Sequence, residues 1–137
     1  MKVNVRWLED VSFVGETEAK HSFIMDGPSE IGGKNKGMRP MEALLIAMGG
    51  CTSFDVVTIL KKSRQIIDQC EAVIKAERAE TIPKVFKTIH IHFILKGQNL
   101  DPESVARAIR LSAEKYCSAS IMLGKSVHIS HDFEILS

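Results

Sequence analysis

A chain of 137 residues, 45% apolar and 26% charged, is sized for one domain, residues 1–137, with one core that buries roughly two-thirds of the unfolded surface. A formal net charge of +1 gives no strong field for nucleic acid or a membrane surface, and one Trp and one Tyr are too few for stacking along single strands. Three cysteines without a CxxC exclude a disulfide framework, zinc-ribbon spacing and a thioredoxin-type motif.

Met1 to Trp7 alternates as a strand does and lacks the apolar run and small-residue cleavage site of a secretory signal, so a cytoplasmic location is expected. Val3 to Val14 reads as a strand or hairpin with Val3, Val5 and Trp7 on one face, and Ala19 to Met25 as a second extended segment. Asp26-Gly27-Pro28-Ser29 is a turn. The polar segment Gly32 to Gly37, with Lys34 and Lys36, lacks the order of a P-loop. It reads as a flexible loop, with anion binding as the alternative.

Pro40 to about Gln65 is expected as a long helix, with Pro40 in its first turn and Lys61 and Lys62 complementing the dipole at its end. Leu44, Ala47, Met48, Cys51 and Asp55 form one stripe. Leu45, Ile46 and Gly49 are apolar on other faces, which predicts burial nearly all round. Its most apolar part, Ala43 to Phe54, is too short to cross a bilayer. Ala72 to Ala79 and Val85 to Leu95 read as an antiparallel pair in which Ile89, Ile91, Phe93 and Leu95 alternate with polar positions. Asp101 caps a helix with Pro102 at its first position. That helix is expected to bury Val105, Ile109, Ser112 and Tyr116. Ser126 to Leu136 closes the chain as a strand. The order implies an α+β fold with mainly antiparallel sheet.

Cys51 and Cys117 carry the chemistry that the sequence suggests. A cysteine reacts as its thiolate, and local charge and helix context set the thiolate fraction. Gly49 and Gly50 before Cys51 each cost about 1 kcal/mol in a helix, which points to close approach of another backbone, a partner helix or a substrate. Asp55, one turn beyond Cys51, raises the thiol pKa unless a cation compensates; Arg39 is the candidate by sequence proximity. Cys117 follows a helix, and a helix C-terminus does not favour an anion, so it suits the resolving role. Cys70, beside Asp68 and Glu71, reads as structural. His90 and His92 share a strand face. A metal there needs a third ligand such as His128 or His131, and a solvated polar face is the simpler reading.

The segments Pro40 to Val56 and Ala113 to Ser120 together resemble the central helix and second-cysteine segment of the OsmC/Ohr family of osmotically induced and organic hydroperoxide resistance proteins. Val5-Arg6-Trp7 and the loop Asp26 to Gly37 fit the same pattern. The resemblance implies an OsmC-like α+β fold intertwined as a homodimer about long buried central helices. It also implies thiol-based reduction of organic hydroperoxides, with Cys51 attacking and Cys117 resolving. A hydroperoxide substrate and a cellular dithiol reductant follow as partners, with no cofactor, no metal, no nucleic acid and no membrane. The family's Glu falls at Met41, while Glu42 points about 180° away from Cys51 on an ideal helix. Ser118 stands where many members have Pro. A dimeric small-molecule binding protein on the same scaffold is the alternative.

Overall fold

The computed structural model describes residues 1–137, which form two compact units, Met1–Ile46 and Ala47–Ser137. In the first, β1 (Val3–Glu9), β2 (Ser12–Thr17) and β3 (Ser22–Met25) make an antiparallel meander. The predicted hairpin is present, with Trp7 opposite Phe13 and the Trp7 indole N–H donating to the Asp10 carbonyl at 2.9 Å in the turn. Val3, Val5 and Trp7 are all exposed.

The glycine-rich loop is ordered by an anion after all, and the anion is the protein's own. The Asp26 carboxylate, buried in its unit, accepts from the backbone N–H of Gly27 at 2.8 Å and from those of Lys34 and Lys36 at 3.1 Å. These bonds, that from Lys36 foremost, hold its pKa below the usual carboxylate value, and the nearby Arg39 charge adds to the effect. Glycine is required at two points, because a Cβ on Gly33 or Gly37 would overlap the carbonyls of Gly27 or Ile24.

The long helix α1 (Pro40–Lys62) ends in Lys61 and Lys62 as expected. At 23 residues the whole helix is, by length and composition alone, long and apolar enough to cross a membrane, although its most apolar part, Ala43 to Phe54, is not. Within the second unit, its Thr52 and Asp55 are hydrogen-bonded to Ser112. Burial is confined to the stripe Met48, Thr52, Val56 and Leu60, with Gly49 beside it. Phe54 is 68% exposed and Leu44 45%, so within one chain α1 is not covered all round.

In the second unit, β4 (Ile66–Arg78), β5 (Phe86–Gln98) and β6 (His128–Leu136) form a sheet in that order. β4 and β5 are antiparallel; β6 runs parallel to β5. That parallel pairing needs a crossover, supplied by α2 (Pro102–Leu111), a π-turn (Ser112–Tyr116) and α3 (Ser118–Leu123). Asp101 caps α2, accepting from the Ser104 N–H at 3.1 Å. Ile89, Ile91, Phe93 and Leu95 of β5 join Met48, Val56 and Leu60 of α1 and Val105, Ala108 and Ile109 of α2 as the buried apolar set. Gly49 permits close packing on β4, since a Cβ there would lie 2.7 Å from Ile74 Cδ1.

Two local expectations are corrected. The strand expected from Ala72 starts as early as Ile66, which puts Cys70 inside β4, opposite Leu95. Tyr116 is 50% exposed rather than buried, because the π-turn breaks the 3.6-residue phase before reaching it.

Candidate functional site

Cys51 is half-buried on α1, one residue before Thr52. Cys117 is completely buried in the link between the π-turn and α3. Both are free thiols, close enough that Cys51 affects the ionisation of Cys117. Burial chiefly pushes the Cys117 thiol above its usual value, and the nearby Cys51 thiol pushes it further. The side chain and backbone N–H of Ser120 pull in the opposite direction.

Cys117 ends the π-turn, as a helix C-terminus was expected to place it, and it also begins α3. Its sulfur caps the N-terminus of α3, accepting from the Ser120 N–H at 3.3 Å. An N-terminus favours a thiolate, yet desolvation is the larger effect here, and Cys117 is held as a thiol.

Asp55 does not face the thiols unpaired. The Ser112 hydroxyl donates to its Oδ2 at 2.9 Å and lies 2.7 Å from Thr52 Oγ1. A serine hydroxyl has one proton. The chain therefore runs from Thr52 to Ser112 to the carboxylate. Ser112 and Thr52 are both buried. Ser112 was expected only as a core position; its hydrogen-bonding role needed the knowledge that the π-turn brings it to Thr52 and Asp55 of α1.

Glu42 accepts from the Arg39 backbone N–H at 2.8 Å, a helix-start contact. Arg39 is partly exposed, and the carboxylate that feels its charge is Asp26. Met41 supplies no carboxylate. Cys70 is raised by burial and lowered by a hydrogen bond with Ser53, consistent with a packing role. His90 Nε2 and His92 Nδ1 meet Asp132 Oδ1 at 2.9 and 2.7 Å on the polar sheet face. The register puts His131 opposite Ile91, on the other face. No group of three His, Cys, Asp or Glu side chains is disposed to hold a metal ion.

Beside the thiol region the second unit has an open cleft of ≈ 790 Å³. Thr52 and Ser120 line it together with apolar Phe93 and Ile109 and the polar Lys125 and His131.

Comparison with known proteins places the chain in a family. Residues 33–132 match the family model OsmC, described as OsmC-like protein. Protein YhfA of Escherichia coli K12 is 44% identical over 137 residues, covering 100% of this chain and 99% of its own. A hypothetical protein from Aquifex aeolicus VF5 superposes with a TM-score of 0.83 at 29% identity, covering 99% of this chain and 97% of that one. The organic hydroperoxide resistance protein OsmC from Legionella pneumophila shares the fold, with a TM-score of 0.72 at 13% identity and coverage of 97% and 95%. The α+β fold is OsmC-like, and the chain belongs to the OsmC-like family.

Proposed function

We propose that this protein is a cysteine-based peroxidase that reduces organic hydroperoxides through a Cys51–Cys117 cycle. The observation that carries the reading is the adjacency of two free thiols on separate elements, one partly exposed and one buried with a raised pKa. Structural neighbours described as organic hydroperoxide resistance proteins add support from the fold.

The Cys51 thiolate attacks the distal oxygen of the hydroperoxide. The O–O bond breaks, the alcohol leaves after taking a proton, and Cys51 becomes a sulfenic acid. Cys117 then loses its proton and attacks the Cys51 sulfur. The S–S bond forms as the S–O bond breaks, and hydroxide leaves as water with the released proton. A dithiol reductant returns two electrons and two protons by thiol–disulfide exchange and is itself oxidised to a disulfide. None of these steps requires a metal or an organic cofactor. The mixed lining of the cleft suits the organic group of the substrate. Arg39 stays the candidate cation for the Cys51 thiolate by sequence proximity alone.

The working form in this reading is a homodimer in a reducing cytoplasm, one domain per chain. Ala47, Gly50 and Phe54 are exposed on one side of α1, an apolar stripe with a small residue at its centre, of the kind that packs helix on helix.

The experiment is turnover of an organic hydroperoxide panel with dithiol reductants. Wild-type protein should consume peroxide, and Cys51→Ser should abolish consumption. Absence of wild-type turnover across the panel contradicts the reading, and leaves a small-molecule binding protein on the same scaffold.

A further inference from the structure

We infer that Ser112 is the positioning residue that sets the spacing of Cys51 and Cys117, by tying the element of one thiol to that of the other. The inference rests on the proposed reading of the two thiols as a working redox pair. Ser112 holds both sides at once. Its hydroxyl donates to Asp55 and accepts from Thr52, which follow Cys51 within the next turn of α1. Its carbonyl accepts from the Cys117 N–H at 2.8 Å, closing the π-turn that delivers Cys117. Its own N–H is used in ending α2. A single fully buried residue thus bonds to the next residue after one cysteine and to the backbone of the other.

The π-turn gives this tie its purpose. A π-turn inserts one residue into a helix and is a costly feature that tends to occur at functional positions. Without the extra residue, Cys117 would arrive at a different angle on the helix. Deleting the Ser112 hydroxyl would leave the buried Thr52 donor and Asp55 acceptor without their partner. The chain from Thr52 to the carboxylate would be cut at its middle, freeing the Cys117 segment to move against α1.

A disulfide senses small changes of spacing, so the readout is the effective concentration of the pair. It is measured as the equilibrium between dithiol and disulfide in buffers of reduced and oxidised glutathione, with Cys70→Ser as the common background. Ser112→Ala should lower the effective concentration about tenfold or more. Thr52→Val should lower it by a smaller factor and serves if Ser112→Ala does not fold. Asp55→Asn keeps an oxygen acceptor for Ser112 and should hold the value within about threefold of the parent. Ile89→Val, a core change away from the tie, should hold it within about twofold, separating position from general stability.

An unchanged effective concentration in folded Ser112→Ala and Thr52→Val overturns the inference, as does a parent protein that forms no Cys51–Cys117 disulfide in any buffer. A parent pair that responds to glutathione as expected but not to hydroperoxide overturns the peroxidase reading and leaves the positioning role standing.

Discussion

The Ser120 backbone N–H donates to the Cys117 sulfur at 3.3 Å, so the buried cysteine caps a helix that begins where another has ended. The cap favours a thiolate, but burial outweighs it and holds the proton on. Folded Cys117 therefore binds its proton more tightly than an unfolded thiol of ordinary pKa 9.0. The stability linked to this proton is present below the unfolded value and is lost as pH rises through the higher folded value. Alkylation with iodoacetamide, mapped by mass spectrometry from neutral to strongly alkaline pH, should label half-buried Cys51 before Cys117. Cys117 should gain reactivity only above the ordinary thiol range. Early labelling of Cys117 at neutral pH would show that the cap wins over burial.

Asp26 should govern the order of the loop that follows β3. Its pKa is lowered by the N–H donors of Lys36, Lys34 and Gly27, so the stability it contributes is present above the ordinary value of 3.8 and is lost as pH falls through the depressed folded value. Amide exchange at Lys34 and Lys36 should accelerate in Asp26→Ala, and in wild-type protein at sufficiently acid pH. Protection that survives Asp26→Ala would mean that the glycine conformations alone hold the loop.

On the outer sheet face, His92 should titrate above the ordinary histidine value of 6.5, chiefly through its hydrogen bond to Asp132 and secondarily through Glu134. Its favourable pairing is complete below that ordinary value and fades as pH rises through the raised folded value. A proton NMR titration should show the elevated midpoint, and Asp132→Asn should bring it down. An unchanged midpoint in Asp132→Asn would remove the carboxylate as the cause.

Gly50 tests the proposed homodimer. Within the single chain nothing lies within 4 Å of a Cβ at this position. Gly50→Ala should leave the chain folded and gain up to about 1 kcal/mol of helix propensity. Gly50→Leu should instead split the dimer into folded monomers if α1 of a second copy packs on the Ala47–Gly50–Phe54 stripe. Sedimentation velocity reads the outcome, and a Gly50→Leu dimer of wild-type affinity would show that the interface lies elsewhere.

The order of strands and helices was legible because its signals are local. Alternation marked β5, Asp101-Pro102 marked the start of α2, and Pro40 with Lys61 and Lys62 bounded α1. The two glycines before Cys51 looked alike in sequence, and packing separates them. Gly49 meets Ile74, whereas Gly50 is open. Three features depend on what tertiary structure brings together. The parallel pairing of β6 with β5 follows from the crossover. The capping role of Cys117 follows from a helix only six residues long, too short to carry a periodic signal. The Thr52–Ser112–Asp55 chain joins residues far apart in sequence, and a serine at a core position gives no sign of which partners it will meet.

The central claim is that Cys51 and Cys117 form a redox couple driven by peroxide. Its most direct test is mass spectrometry after one equivalent of an organic hydroperoxide, with wild type and Cys117→Ser compared in the presence of a sulfenic-acid trap. Wild type should yield the Cys51–Cys117 disulfide, and Cys117→Ser should yield trapped sulfenic acid at Cys51. Recovery of Cys51 as an unmodified thiol in both proteins would contradict the account.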